Sequence, residues 1–198
     1  MPLIPEVIHS LGITQHFVKM VSTYDDYDRR NACLKAILQA SKFDFFKNEF
    51  NNSGLVDVLL SIIASGTKTH LELREFSFNI LSNLCKDHRN NQKEFRRRGG
   101  IEALKTCLAY SEVEQSGNAQ TFLLAVLDCL ANTVFGNKRS ELHFLDIDGV
   151  YMLLDLAESC EAALKRLCLS NICTILENPK SFSYFVEWNS RKANMNGS

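Results

Sequence analysis

A chain of 198 residues with 45% hydrophobic and 23% charged residues is long enough, and apolar enough, to bury a sizeable core. Its net charge of −1 supplies no overall attraction to nucleic acid or to an acidic membrane, and no apolar run approaches the roughly 18 residues that a membrane span needs. Strand-like Val/Ile/Thr alternation is absent, and apolar residues return at helical spacing, as in Leu55, Val58, Leu59, Ile62 and Ile63 or Leu73, Phe76, Ile80 and Leu84, so the class is all-α.

In chain order, MPLIPEVIHS lacks the basic-then-apolar layout of a secretion signal. Residues 3–10 read as the tail of a helical unit that begins earlier, because Leu3-Ile4 and Val7-Ile8 are apolar where a first repeat carries a polar cap. Gly12 to Ser22 reads as a middle helix and Tyr27 to Ser41 as a long third helix. Phe43 to Asn51, Leu55 to Ser65 and Leu71 to Cys85 make a complete three-helix unit. The next is Asn91 to Arg98, Ile101 to Tyr110 and Asn118 to Phe135, closed by Gly136-Asn137 as a left-handed stop. Its polar connector, SEVEQSG at 111–117, is the longest in the chain. The last unit is Arg139 to Leu145, Val150 to Ser159 and Cys160 to Leu176. A short helix follows Asn178-Pro179, with Asn as cap and Pro preorganised for the first turn.

These elements repeat. A glycine followed by a β-branched residue or leucine opens an apolar helix at Gly12-Ile13, Gly54-Leu55, Gly100-Ile101 and Gly149-Val150, in steps of 42, 46 and 49 residues. A small residue plus Asn recurs late in the long helices, at Ser82-Asn83, Ala131-Asn132 and Ser170-Asn171, and Asn83 and Asn132 each precede the next glycine by 17 residues. A fixed offset with variable insertions is the mark of a stacked repeat. The expected fold is a right-handed α-solenoid of about four three-helix units over residues 1–188, starting near 12, 54, 100 and 149, with 189–198 a disordered tail. Phe122, Val126, Leu130 and Val134, flanked by Leu123 and Leu127, give the third helix a broad apolar face that a lone unit could not bury.

Nothing in the motifs points to catalysis. There is no phosphate-binding loop, dinucleotide fingerprint, HExxH or GxSxG. The five histidines are scattered, and none pairs with cysteine at zinc-site spacing. Seven cysteines, an odd number with no CxxC, sit mostly in apolar stretches and read as core packing in a reducing cytosolic compartment, Cys168 and Cys173 included. The expectation is a non-enzymatic protein without metal, cofactor or small-molecule substrate.

The stretch LSNLCKDHRNNQKEFRRRGGIEAL, from Leu81 to Leu104, resembles the armadillo repeat. Further landmarks are Leu123-Leu124, Leu127-Asp128, Phe144-Leu145, Gly149, Leu153-Leu154-Asp155-Leu156, Asn178-Pro179-Lys180 and Trp188. Together they are similar to the later armadillo region of the cilia- and flagella-associated protein 69 family, whose members are much longer. The resemblance implies a cytoplasmic, axonemal component of motile cilia and sperm flagella. It would be associated with the central apparatus, needed for flagellar assembly, and bound to axonemal or other ciliary proteins, tubulin among the candidates.

Two surfaces are candidates for docking. In armadillo proteins that hold extended peptides, an Asn at the position of Asn83, Asn132 and Asn171 bonds the peptide backbone, with a Trp four residues earlier. Here those earlier residues are Asn79, Asp128 and Leu167, so the alternative function, a soluble adaptor with a disordered peptide in its concave groove, lacks half of its signature. The same amides could equally satisfy backbone groups between repeats. Lys86, Arg89, Lys93, Arg96, Arg97 and Arg98 form a basic corner against Asp87 and Glu94. It fits an acidic partner, or a helix end whose dipole favours cations. From Ser140 to Glu161 the bias reverses, with Glu141, Asp146, Asp148, Asp155, Glu158 and Glu161 and no Lys or Arg. Trp188 is expected to seal the last helix against Phe182 and Phe185.

Overall fold

The computed structural model describes residues 11–65, 71–109 and 117–188. The readings made for residues 3–10, 111–116 and 189–198 lie outside them. In chain order the helices are α1 (Ile13–Thr23), α2 (Tyr27–Ala40), α3 (Asp44–Asn52), α4 (Leu55–Ala64), α5 (Leu71–Cys85) and α6 (Arg89–Arg97). Then come α7 (Gly100–Ala109), α8 (Gly117–Thr133), α9 (Lys138–Asp146), α10 (Gly149–Ser159), α11 (Ala162–Leu176) and, after a 3-10 turn at Pro179–Ser181, α12 (Phe182–Glu187). No strand occurs among the described residues.

The helices form layers that advance in one direction. The short first helices α3, α6 and α9 pack each on the next, as do the middle helices α1, α4, α7 and α10 and the long third helices α2, α5, α8 and α11. This is the expected α-solenoid. Side chains start several helices by accepting an N–H left without an intrahelical partner. Asp26 accepts from Arg29 N at 3.1 Å, His88 Nδ1 from Asn91 N at 3.3 Å, and Asn137 from Ser140 N at 3.4 Å. Asn178 accepts from Lys180 N at 3.1 Å, so the Asn-Pro start is as expected, with a 3-10 turn before the helix.

The last two corners differ by one residue from the spacing pattern. The left-handed residue before each middle helix is Gly12, Gly54, Gly99 and Asp148, with φ of 59°, 77°, 81° and 61°. Gly100 and Gly149 instead open α7 and α10 as ordinary helical residues. They are glycine for clearance, because a Cβ at Gly100 would lie 2.4 Å from the Phe95 ring and one at Gly149 2.3 Å from the Phe144 ring. Asp148 accepts the left-handed conformation that Asx side chains tolerate better than other non-glycine residues.

Phe50, Phe95 and Phe144 are fully buried, each five residues before the first residue of a middle helix. Between layers the long helices supply the spine: Phe122, Val126, Leu130 and Val134 of α8 and its following turn are all buried, with Leu123 and Leu127. Phe78 of α5 meets Phe122 edge-on at 5.8 Å. Full burial of each such side chain stabilises by about 1.5–3 kcal/mol. Removing one layer would expose this face, which makes stacking obligatory.

Candidate protein-interaction surface

The three asparagines of the long helices do not occupy equivalent environments. Asn83 is half-buried and its Nδ2 donates to Ser41 Oγ at 3.0 Å, at the end of the preceding long helix. Asn132 is also half-buried, with Nδ2 donating to Ser82 Oγ at 2.8 Å and to its own helix at Asp128 O at 3.2 Å. Ser82 donates in turn to the Asp128 carboxylate. Asn171 is buried, and its Nδ2 donates to Leu127 O at 3.1 Å. Each amide therefore joins its layer to the one before it.

A second set of interlayer bonds, not anticipated from the repeat spacing, lies on the short first helices. Asn91 is fully buried, and its Nδ2 donates to Leu84 O at 2.8 Å and Lys47 O at 3.1 Å, tying α6 to α5 and α3. Gln92 Nε2 donates to Cys85 O at 3.2 Å and Asn132 O at 3.0 Å, while its Oε1 accepts from Asn137 Nδ2 at 3.3 Å. Lys47, also buried, donates through Nζ to Lys86 O at 2.8 Å. The available signal was local: amides or carboxylates three or four residues after a capping residue, as in His88 to Asn91-Gln92 and Asn137 to Glu141.

The basic corner divides into two groups. Arg98 pairs with Glu94 at 2.7 Å and with Asp57 of the preceding layer at 3.1 Å, Arg97 lies 3.4 Å from Glu94, and half-buried Arg96 donates to Ser140 Oγ at 3.3 Å. The Arg98 guanidinium, helped by Arg97 and Lys93, holds the Glu94 carboxyl below its ordinary value. Lys86, Arg89 and Lys93 are exposed and make no ion pair within 4.0 Å among the described residues. Exposed Lys138 and Arg139 join them, likewise without a carboxylate among the described residues, because the Gln92–Asn137 bond sets the start of α9 beside α6. This pair was missed in the sequence because it is 40 residues or more from the rest of the cluster.

The acidic stretch is not uniformly surface. Glu141 is buried, accepting from Gly136 N at 2.8 Å and Asn178 Nδ2 at 3.0 Å, so it is not part of the exposed acidic surface. Asp155 accepts from Trp188 Nε1 at 3.0 Å. Trp188 thus anchors to α10, and Phe182, expected beneath it, is 68% exposed.

Burial pushes the Cys85 and Cys129 thiols well above their ordinary value and Cys168 up to about 12, so these remain protonated core groups and poor nucleophiles. Cys173, expected in the core, is exposed. Among the described residues no group of His, Cys, Asp or Glu is arranged to hold a metal ion, and no helix is long and apolar enough to cross a membrane.

Residues 25–198 match the family model described as cilia- and flagella-associated protein 69, ARM repeat. Cilia- and flagella-associated protein 69 of Homo sapiens is 28% identical over 123 residues, which are 62% of this chain and 13% of that protein. The Mus musculus protein is 26% identical over the same share of each. The chain therefore spans a small part of the curated relatives it matches. Among solved structures, an engineered protein aligns with a TM-score of 0.72 at 21% identity, covering 87% of this chain and 66% of that one. A designed armadillo repeat protein aligns at 0.68 with 12% identity, covering 81% and 63%, and another, in complex with a (KR)4 peptide, at 0.67 with 11%, covering 83% and 69%. At these identities the structural likeness shows the fold alone, whereas the sequence match runs through the repeats themselves: the chain belongs to the cilia- and flagella-associated protein 69 family of armadillo-repeat proteins.

Proposed function

We propose that the chain is a non-catalytic docking stack of the ciliary and flagellar axoneme, associated with the central apparatus and serving flagellar assembly and motility, and that it grips an acidic protein partner along its basic edge. Family membership supports the setting. The observation that carries the docking reading is the position of Arg89, Lys138 and Arg139 in the first turns of α6 and α9. The positive end of a helix dipole disfavours a cation there by about 0.3–1 kcal/mol. Helix stability therefore accounts for Arg96 and Arg97 in the last turn of α6, but not for these three. With Lys86 and Lys93 they make a two-layer basic strip that suits an extended acidic segment, of which a tubulin tail is one example.

The test is cross-linking mass spectrometry on axonemes carrying the wild-type chain or its Arg89→Glu/Lys138→Glu/Arg139→Glu variant. Cross-links from Lys86 and Lys93 to acidic segments of axonemal neighbours, lost in the variant, support the proposal; labelling confined to nuclear proteins contradicts it. The alternative, a disordered peptide held by Asn83, Asn132 and Asn171, has less support, since their amides are already engaged with neighbouring layers.

A further inference from the structure

A cleft of about 210 Å³ opens between the first two described layers, lined by none of the basic-edge residues. It is lined by Ser22 of α1, Arg30 of α2 and the Val58, Ser61, Ile62 and Ser65 face at the end of α4, and among the described lining residues Arg30 is the one charged side chain. The guanidinium is only partly used. Its Nη2 donates to the Tyr24 carbonyl, the fully exposed Asp25 carboxylate lies 4.0 Å away, and its buried Nε has no acceptor among the described residues.

The next layer shows what a closed version of this place looks like. Arg74 is the fourth residue of α5, as Arg30 is of α2. It is buried, its Nη2 lies 3.2 Å from Cys107 Sγ, and its guanidinium sits 4.8 Å from the centre of the Phe122 ring. Cys107 is the eighth residue of α7, and the eighth residue of α4 is Ile62. Where the later layer covers its arginine with a thiol and an aromatic ring, the earlier one has an aliphatic side chain, three serines and open space.

We infer that this cleft binds a single anionic oxygen group, a carboxylate or phosphoryl carried by a side chain of a partner protein. A guanidinium with an unspent donor, whose one carboxylate neighbour among the described residues is the solvent-exposed Asp25 at 4.0 Å, is a directional receptor for such a group. The Ser22, Ser61 and Ser65 hydroxyls donate to carbonyls of their own helices at 2.7–2.9 Å, and each can rotate to donate outward. The volume is below the roughly 300 Å³ at which sites for drug-sized molecules begin, so the cleft suits the head of one side chain. The inference is independent of the basic edge, whose cations lie on other helices.

The experiment is a nitrogen–proton NMR titration of the full chain, followed at arginine Nε–Hε groups, with inorganic phosphate in one arm and acetate in the other at constant ionic strength. Arg30 is expected to saturate with an affinity at least about tenfold above that of its exposed neighbour Arg29. Saturation by phosphate alone assigns a phosphorylated partner, by acetate alone an Asp or Glu side chain, and by both the shared chemistry. The Ser61 and Ser65 amides should follow the same curve, and Arg30→Gln should abolish it. Parallel, unsaturating shifts at Arg29 and Arg30, or saturation at Ser61 that survives Arg30→Gln, would overturn the inference. Should Arg30→Gln fail to fold, the comparison of Arg30 with Arg29 in the wild type still decides it.

Discussion

The ring of Phe144 lies over Gly149 so closely that a Cβ there would come within 2.3 Å of a ring carbon, and Phe95 covers Gly100 in the same way one layer earlier. Both rings are fully buried, so neither can swing away without opening the core. Gly100→Ala and Gly149→Ala should each destabilise by about 1–3 kcal/mol. Asp148→Gly, which relieves a left-handed non-glycine residue, should be neutral or stabilising by up to about 1 kcal/mol. Urea unfolding followed by circular dichroism reads both signs; equal losses at 148 and 149 would show that the two positions are not distinguished as described.

Asn91 and Asn83 also separate a core role from a shallower one. Asn91→Ala leaves the Leu84 and Lys47 carbonyls without the amide that now serves them, and should cost about 2–4 kcal/mol. Asn83→Ala loses one bond to a hydroxyl at a half-buried site and should cost about 0.5–1.5 kcal/mol. Thermal unfolding of the two variants checks the order.

Two groups set a pH dependence. The Glu72 carboxylate accepts from the Tyr27 hydroxyl, which raises the Tyr27 pKa to about 12 and holds Glu72 below its ordinary 4.5. Glu72, with the lower folded value, contributes stability that is present above 4.5 and lost as pH falls through the folded value. Tyr27, with the higher folded value, contributes stability present below 10.0 and lost as pH rises through about 12. Tyr27→Phe should therefore flatten both the acid and the alkaline limbs of a melting-temperature profile. A profile with only its alkaline limb changed would remove the Tyr27–Glu72 coupling.

Charge reversal on the basic edge has an unusual expected sign. Arg89→Glu and Lys138→Glu place acids where the helix dipole favours them, so each should raise stability by a few tenths of a kcal/mol, up to about 1 kcal/mol, while weakening attraction to an acidic peptide. Arg98→Glu, which breaks contacts to Glu94 and Asp57, should lower stability. Calorimetric melting at low and high salt distinguishes the two groups, because the first effect fades with screening.

Much of the layer architecture is legible in the sequence because a solenoid repeats one solution, so the recurrent glycine corners and the apolar face of Phe122 to Val134 mark it several times over. The register at the last two corners is not. Gly99 and Gly100 are adjacent glycines retained for different reasons, and Asp148 takes a conformation that composition assigns to Gly149. The polar ties were hidden for another reason. Lys47 with Lys86, and Glu141 with Asn178, meet across 39 and 37 residues, and no local pattern brands a lysine or a glutamate as buried. Trp188 likewise bonds Asp155, 33 residues earlier in the chain. The basic cluster was visible, but its division into engaged Arg96–Arg98 and Arg89, Lys138 and Arg139, which have no ion pair among the described residues, needed the layers in place.

Cosedimentation with isolated axonemes tests most directly whether consecutive layers carry one docking edge. The wild-type chain should pellet with axonemes and be released as salt rises. The Arg89→Glu/Lys138→Glu/Arg139→Glu variant, with unchanged helical circular dichroism and an equal or higher melting temperature, should remain in the supernatant. A variant that folds and pellets as the wild type does would contradict the proposal.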